Sequence, residues 1–276
     1  RVDKAGRGTW KKVMAGVEML KKHNVEFNTL TCVNRLTATK GDLIYRFLKG
    51  IGSKHLQFIP IVERNPDVKA REYGLGLSSP PDLDRDPDLE NEDPRVTPWT
   101  VRPKDYGEFL CSIFDRWVRH DVGRIYVQTF EVAFGKWMGI REGGLCYFAE
   151  TCGKAMAIEH SGDVYSCDHY VYPHHHRGNV LEKHLAEIID SPEQQKFGND
   201  KRDKLPRMCR ECDYRFACNG ECPKHRFTYT PDGEYGLNYL CPAYKRFFAH
   251  VDPYFRTMVQ LYRSGRPPAE IMKMVA

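Results

Sequence analysis

Hydrophobic residues recur at three- and four-residue steps early in the chain, and short apolar runs separate these segments. Residues 9–24 have this helical spacing, with Thr9 as N-cap, and residues 42–51 form a second such segment. Residues 25–33 are rich in β-branched side chains and residues 55–62 are largely apolar, which predicts two strands. This order is typical of βα units with a parallel sheet, although two units are too few to close a barrel.

Residues 63–98 interrupt this pattern. They contain six prolines and ten acidic residues against five basic ones, with almost no periodicity. The segment follows the carboxyl end of a predicted strand, where loops shape the active sites of βα proteins. We interpret it as a lid, a binding insertion or a disordered excursion at the surface.

The rest of the chain changes from helical to turn-rich. The pattern predicts an amphipathic helix over residues 103–121, a strand over 124–130 and a β-hairpin over 155–167. It further predicts a short helix over 181–189 and a long helix over 241–262. The long helix contains Pro253, which should bend or break it.

Composition and charge exclude several classes of protein. With 41% hydrophobic residues the chain can build a core, and no apolar run approaches the ~20 residues that span a bilayer. The net charge of +5, with acidic residues interspersed, is too small to indicate nucleic acid binding. The chain begins at Arg1 without the apolar stretch of a signal peptide. We expect it to start inside a longer protein, with part of the machinery upstream.

Cysteine is the anomaly in the composition, with ten residues. Eight of them follow the pattern Cys146-x5-Cys152-x14-Cys167, then Cys209-x2-Cys212-x5-Cys218-x3-Cys222, and then Cys241-Pro242. Eight thiols suffice for two metal sites of four thiolates each. The other two, Cys32 and Cys111, fall within strand and helix patterns, and we expect them to be buried, inert thiols.

Three interpretations of the eight cysteines compete. Disulfides suit small exported domains, and this chain is large with no secretory features. Zinc is held tetrahedrally by four thiolates, but a zinc ribbon usually has two Cys-x2-Cys knuckles and only one is present. Iron–sulfur clusters also take four thiolates, and a Cys-Pro pair such as Cys222-Pro223 is typical of bacterial ferredoxins. Spacing alone leaves zinc and iron–sulfur open.

With Cys167 followed by Asp168, this pattern resembles the SPASM domain of radical-SAM peptide-modifying enzymes, and more closely the anaerobic sulfatase-maturating enzymes. The resemblance extends upstream through GRGTW, NVEFN and HLQFIP at residues 6–10, 24–28 and 55–60. It favours iron–sulfur over zinc. It implies an α/β fold: the C-terminal part of a partial (β/α)6 radical-SAM barrel over residues 1–135, including the loop 63–98, followed by an irregular α+β SPASM domain over residues 140–276.

The resemblance implies two auxiliary [4Fe–4S] clusters with interleaved ligands. The first thiol set comprises Cys146, Cys152, Cys167 and Cys222. The second thiol set comprises Cys209, Cys212, Cys218 and Cys241. The family's Cys-x3-Cys-x2-Cys motif, which binds the cluster that cleaves S-adenosylmethionine, occurs nowhere in this sequence. We expect that motif, with a third [4Fe–4S] cluster and S-adenosylmethionine, in the complete protein, and expect this chain alone to be inactive.

The resemblance also implies an activity, the oxidation of a sulfatase Cys or Ser to Cα-formylglycine. In the family a 5′-deoxyadenosyl radical removes a hydrogen from the β-carbon, and the substrate radical then loses a proton and an electron. Asp168 resembles the residue assigned as the base, and we expect burial near a cluster to raise its pKa. The alternative for Asp168 is a cap on a backbone amide. The implied partners are an unfolded or nascent sulfatase polypeptide and a reduced flavodoxin or ferredoxin type electron donor, in an anaerobic cytoplasm.

Several further residues are candidates for cofactor contacts. Asn34 and Arg35 follow a predicted strand and are candidates either to contact S-adenosylmethionine or to cap a helix. Val62 ends the next strand and, by analogy with the family, lies against adenine. The stretch 201–226 has a net charge of +4, which either offsets a cluster's negative charge or forms a solvated face.

Two alternative functions remain. One is another SPASM maturase, which oxidises or cross-links a short ribosomal peptide. The other is a non-catalytic zinc-binding scaffold.

Overall fold

The fold combines a small parallel sheet, helices packed on it, and a turn-rich segment closed by a long helix. The computed structural model describes residues 2–66, 68–72, 74–84, 96–141 and 144–275. The strands of the described residues are β1 (Asn28–Val33), β2 (His55–Pro60), β3 (Tyr126–Val127), β4 (Ala157–Ile158), β5 (Asp163–Tyr165), β6 (His176–Asn179), β7 (Thr228–Tyr229) and β8 (Tyr235–Leu237). The α-helices are α1 (Trp10–Lys22), α2 (Gly41–Gly50), α3 (Val68–Glu72), α4 (Pro103–His120), α5 (Gln128–Trp137), α6 (Leu185–Ile189), α7 (Pro192–Asp203), α8 (Arg207–Arg210), α9 (Arg215–Cys218) and α10 (Cys241–Arg263). None of these helices is long and apolar enough to span a bilayer.

The parallel sheet predicted from the sequence is confirmed. Its strands lie in the order β1-β2-β3, with Asn28 opposite His55 and His55 opposite Tyr126. Helices α1, α2 and α4 match the predicted segments to within a few residues. The carboxyl ends of β1 and β2 therefore lie side by side, as expected for consecutive βα units.

The strand predicted over residues 124–130 is wrong beyond its first half. Only Tyr126–Val127 is a strand, and helix α5 begins at Gln128. The reason is the burial of Phe130, whose ring packs 5.4 Å from Phe114 and 5.5 Å from Trp117. A helix directs Phe130 and Ala133 into the core together, and tertiary packing overrides the local alternation.

One hydrophobic core extends from Val33 in β1 to Ile271 near the C-terminus. Helices α4 and α10 pack closely at Gly107, where an added Cβ would lie 3.2 Å from the Cα of Ala243. Helix α10 continues through Pro253, so the predicted break does not occur. The core is continuous across residues 135–140, and the domain boundary there remains a prediction from the family resemblance.

The base of the loop 63–98 is closed by backbone contacts. Arg64 and Val96 form a bridge, and the Thr97 amide donates to the Glu63 carbonyl at 2.9 Å. The described part of the loop contains α3 and is tied to α7 by Lys204, whose Nζ donates to an Asp84 carboxylate oxygen. Residues 67, 73 and 85–95 of this loop lie outside the described residues, and its role stays a prediction.

The turn-rich segment contains the predicted hairpin. Strands β4 and β5 are antiparallel, and Gly162 at their turn has a φ of +90° that a glycine adopts readily. Strand β6 adds to β5, and β7 pairs with β8 in a separate hairpin. Helix α6 begins at Leu185, four residues later than predicted. Helix α7 was not predicted.

Candidate metal centre

The buried residues on the inner face of helix α7 include no large apolar side chain, although the half-buried Phe197 packs on Tyr170. These buried residues are Gln194, Gly198 and Lys201, at i, i+4 and i+7. The Gln194 side-chain amide donates to the carbonyls of Gly153 (2.6 Å) and Ser166 (3.0 Å), the neighbours of two cysteines. An added Cβ on Gly198 would lie 2.4 Å from the Cys152 carbonyl oxygen. This face therefore aligns the Cys152 loop with the end of the β4–β5 hairpin.

The hairpin end brings distant parts of the chain together. Cys167 follows β5, and its Sγ donates to Asp168 Oδ1 at 3.0 Å. Cys222 Sγ lies 3.6 Å from His169 Nδ1, although these residues are 53 apart in the chain. Cys222 is buried, whereas Asp168 and His169 are exposed. A thiol from the dense cysteine loop thus lies beside the hairpin, as the interleaved ligand assignment requires.

Electrostatic interactions link the members of the first thiol set. Burial, the hydrogen bond to Asp168 and the charge of the Cys146 thiolate contribute to raising the pKa of Cys167 to about 12. Burial and the Cys146 thiolate also raise the pKa of Cys152. Burial raises the pKa of Cys222, and the charge of Cys167 adds to this effect. The hairpin cysteine therefore interacts with a thiol on each side of it, Cys146 and Cys222.

The second thiol set is linked in the same way. Cys209 lies in α8 and Cys212 in the turn after it. Cys218 ends α9, and Cys241 begins α10. Burial, with smaller contributions from the thiolates of Cys241 and Cys212, raises the pKa of Cys209 to about 11. The pKa of Cys218 is raised by burial and then by the charges of Cys241 and Cys209.

The thiols are spaced more widely than the ligands of a single zinc ion. Sulfur atoms around a tetrahedral zinc stand about 3.8 Å apart, because each Zn–S bond is about 2.3 Å. Within the described residues, the group of three possible metal donors lying within 4.8 Å of one another is Cys167, Asp168 and His169, and no set of three thiols meets this distance. All ten cysteines are free thiols.

The expectation that Cys32 is buried is wrong, whereas the rise in the pKa of Asp168 expected beside a bound cluster stays a prediction. Among the protein groups alone, burial raises the pKa of Asp168, but the hydrogen bond from the Cys167 thiol, the charge of His169 and backbone amides together lower it below its ordinary value. One of these amides is that of His169, the capping role considered as the alternative. Cys32 is exposed, because it alternates with the buried Val33 in β1, whereas Cys111 is buried as expected.

The candidate cofactor residues lie at the carboxyl ends of the first two strands. Asn34 Oδ1 accepts from the amides of Leu36 (2.9 Å) and Thr37 (3.0 Å), so the side chain caps the turn after β1. The Arg35 guanidinium donates from Nε to the Thr100 carbonyl at 3.2 Å. Both side chains therefore stabilise the segment between β1 and α2 through hydrogen bonds to the backbone.

Val62 is buried in the hydrophobic core just beyond β2, with 2% of its surface exposed. The neighbouring Ile61 amide donates to the Val33 carbonyl, and the Val101 amide donates to the Ile61 carbonyl, both at 2.9 Å. These two hydrogen bonds join the chain after β2 to the end of β1 and to the residues just before α4.

The cysteine-rich segment contacts this strand end directly. Glu63 pairs with Lys224 at 3.1 Å, and both side chains are largely buried. The Arg64 guanidinium lies 5.2 Å from the centre of the Phe227 ring. The loop that follows Cys222 is therefore fixed against the carboxyl end of β2.

The chain is similar in sequence to a family of iron–sulfur proteins and to curated enzymes. Residues 146–213 match the SPASM family, described as an iron–sulfur cluster-binding domain. The chain is 42% identical to the serine-type anaerobic sulfatase-maturating enzyme of Bacteroides thetaiotaomicron, over 99% of this chain and 63% of that protein. It is 28% identical to the cysteine-type enzyme of Clostridium perfringens, over 92% of this chain and 61% of that protein. The chain is a homologue of the anaerobic sulfatase-maturating enzymes.

The fold of this sulfatase-maturating-enzyme homologue agrees with a solved structure. The structure titled native anSMEcpe with bound AdoMet and Kp18Cys peptide has a TM-score of 0.74 and 26% identity, over 94% of this chain and 65% of that one. The chain thus spans less than two thirds of the length of each of these relatives.

The sequence pattern did not reveal the residues of this chain that align its cysteine loops. Gln194 and Gly198 lie on α7, whose inner face is polar, so hydrophobic periodicity did not reveal the helix. A signal was present in Ser191-Pro192-Glu193, an N-cap followed by proline and an acidic residue in the first turn. The Ser191 hydroxyl does accept from the Gln194 amide, at 3.3 Å.

Proposed function

We propose that the protein containing this chain is a radical-SAM oxidoreductase that converts an active-site Cys or Ser of a sulfatase to Cα-formylglycine. This chain contributes the two auxiliary [4Fe–4S] sites and part of the substrate site, and is inactive alone. The supporting observation is that Cys222 of the dense cysteine loop lies at the hairpin end, 3.6 Å from His169, in a chain whose residues 146–213 match an iron–sulfur cluster-binding domain. The relationship to sulfatase-maturating enzymes of both serine and cysteine type indicates the substrate class.

The donor chemistry fits one cluster for each thiol set. Burial raises the pKa of these thiols and keeps them protonated in the absence of metal, and binding a cluster replaces their protons with iron. Thiols spaced beyond the reach of one zinc ion favour a larger group with several metal atoms. We assign one cluster to Cys146, Cys152, Cys167 and Cys222, and the other to Cys209, Cys212, Cys218 and Cys241.

Asp168 is the residue we assign as the base. When bound, S-adenosylmethionine supplies the radical that starts oxidation of the substrate β-carbon, and the auxiliary clusters supply an electron acceptor. Asp168 is exposed beside Cys167, so its carboxylate is accessible to a peptide at the hairpin end. There Asp168 Oδ accepts the proton from the substrate sulfur or oxygen.

We assign the S-adenosylmethionine side of the site to the carboxyl ends of β1 and β2. Asn34 and Arg35, after β1, belong to the surface that we assign to S-adenosylmethionine, and Val62, buried just beyond β2, is part of the core behind it. The contact of Glu63 with Lys224 brings that surface beside the cysteine-rich segment. The proposed partners are an unfolded sulfatase polypeptide and a flavodoxin or ferredoxin type donor, and oxygen-labile clusters suit an anaerobic cytoplasm.

The test uses the full-length protein, purified without oxygen and incubated with S-adenosylmethionine, a reductant and a peptide containing Cys-x-Pro-x-Arg or Ser-x-Pro-x-Arg. We expect formylglycine by mass spectrometry, none from a peptide with Ala at the reacting position, and about twelve irons with matching sulfide. Clusters without formylglycine would indicate a different peptide maturase. Zinc without sulfide would indicate the scaffold.

A further inference from the structure

Two buried cations lie beside the cysteine loops, and neither is paired with a carboxylate of the described residues. Lys201 on α7 and Arg226 after the dense cysteine loop both have 0% of their surface exposed. Their hydrogen bonds go to backbone carbonyls, and neither forms an ion pair with an acidic side chain of the described residues. Burying a charge without a counter-charge is strongly unfavourable. Something else in the folded protein must therefore balance these charges.

Lys201 organises the loop that carries the first two cysteines. Its Nζ donates to the carbonyls of Cys146 (2.8 Å), Tyr147 (2.9 Å) and Ala149. The ammonium thus lies inside the turn that leads from Cys146 to Cys152.

Arg226 organises the loop that joins the two thiol sets. Its guanidinium donates to the carbonyls of Asn219 (2.9 Å), Gly220 (3.0 Å) and Glu221 (3.2 Å). These three residues have φ values of +48°, +70° and +55°, an unfavourable conformation for Asn and Glu. Arg226 also donates to the Lys201 carbonyl at 2.6 Å, so the two cations form one unit.

The ionisable groups around this unit include thiols of both sets and the acid Glu221. Burial lowers the pKa of Arg226, and the thiolate forms of Cys209, Cys218 and Cys222 oppose this. Burial and the charge of Arg226 lower the pKa of Lys201 to about 8, and the thiolate forms of Cys152 and Cys222 oppose this.

Among the described residues, Glu221 is an acid whose charge acts on both cations, and its carboxylate is already engaged. Its Oε2 accepts from Asn238 Nδ2 at 2.6 Å and lies 2.9 Å from His225 Nδ1. One carboxylate against two cations leaves an excess of positive charge, positioned beside thiols of both sets.

We propose that Lys201 and Arg226 are internal counter-ions of the two auxiliary clusters and raise their reduction potentials. The inference rests on the proposed function, since it requires clusters on both thiol sets. A cluster ligated by four thiolates carries net negative charge, which increases on reduction, and a nearby buried cation favours the reduced form. Both are positioning residues as well, because they fold the ligand loops.

The test compares charge removal with charge retention in the full-length, anaerobically purified protein. Lys201→Met and Arg226→Gln remove a charge, whereas Arg226→Lys retains it with a different set of hydrogen bonds. Lys196→Met, on the exposed face of the same helix, is the matched control. Iron and sulfide are measured first, followed by the midpoint potentials of the auxiliary clusters in a redox titration monitored by electron paramagnetic resonance.

We expect Lys201→Met and Arg226→Gln to reduce the equilibrium constant for one-electron reduction at least tenfold, about 59 mV. Arg226→Lys and Lys196→Met should change it less than threefold. Loss of clusters in Arg226→Gln but not in Arg226→Lys would also support the charge role. Equal cluster loss in both Arg226 variants, or wild-type potentials in both charge-removing variants, would overturn it. A wild-type protein without iron and sulfide would instead refute the proposed function itself.

Discussion

Asp168 differs from the other acids near the cysteines because it is both exposed and in contact with a thiol. Hydrogen bonds hold its pKa below the ordinary value, so at neutral pH it is a carboxylate that can accept a proton. A weak base in this position acts through proximity to the substrate more than through a matched pKa.

Asp168→Asn tests this role, because the amide keeps the size of the side chain and removes its basicity. We expect formylglycine formation by the full-length protein to slow by about 10²- to 10⁴-fold, with iron and sulfide unchanged. The rate is measured by mass spectrometry of the peptide under saturating reductant. Asp203→Asn, which removes an exposed acid paired with Arg202, should leave the rate unchanged. A normal rate in Asp168→Asn would leave the capping of the His169 amide as the role of this residue.

Close approach of two helices explains why a glycine begins α2. A Cβ on Gly41 would lie 2.5 Å from Ser112 Oγ and 2.8 Å from the Phe109 carbonyl oxygen, both on α4. Such contacts force a shift of the backbone, so Gly41→Ala should lower the free energy of unfolding by about 1–3 kcal/mol. Gly50→Ala at the other end of the same helix meets nothing within 4 Å. It should be neutral or stabilising by up to about 1 kcal/mol.

The unfolding of both variants is followed by circular dichroism under anaerobic conditions. Equal midpoints for Gly41→Ala and Gly50→Ala would contradict the close packing of α2 on α4. The comparison isolates packing, because both changes raise helix propensity and only one adds an atom to a filled space.

Elements with a clear apolar stripe could be predicted from the sequence, and elements with a polar interior could not. Helix α4 was predicted because its buried side chains include Phe109, Ile113 and Trp117 at helical spacing. Helix α7 was missed because Gln194 and Lys201 occupy its inner face and bond to backbone carbonyls. Local pattern does not distinguish such buried polar residues from solvated ones.

In the candidate site too, some features could be predicted from the sequence and others depend on contacts that only the fold creates. The cysteine pattern indicated metal, and the family resemblance divided it into two sets. The sequence alone did not show that Arg226 is buried, nor that Cys222 lies beside His169. Both facts depend on contacts between segments far apart in the chain, which no local spacing specifies.

At the scale of the whole molecule, the thiols join segments that lie far apart in the chain. The first set connects the Cys146 loop, the hairpin end at Cys167 and the dense loop at Cys222. Metal binding at such a site contributes to folding, because the ligands are assembled only in the folded state. Loss of one ligand should therefore affect both metal content and stability.

The pairing of ligands can be tested by combining cysteine substitutions in the full-length protein. Cys167→Ala and Cys222→Ala should each remove about four of about twelve irons, since either leaves three ligands for one cluster. The double variant of these two should lose no more iron than either single variant, because both ligands serve the same cluster. Combining Cys167→Ala with Cys241→Ala should remove about eight irons, because one ligand is lost from each set.

Iron, sulfide and the thermal unfolding midpoint are measured for each variant after anaerobic purification. Cys111→Ala is the control, because it removes a buried thiol outside both sets and should lower stability without loss of iron. A loss of about eight irons from the Cys167→Ala, Cys222→Ala double variant would place these cysteines on different clusters. The hairpin and the dense loop would then be held by separate sites, and the charge between them would have to be reassigned.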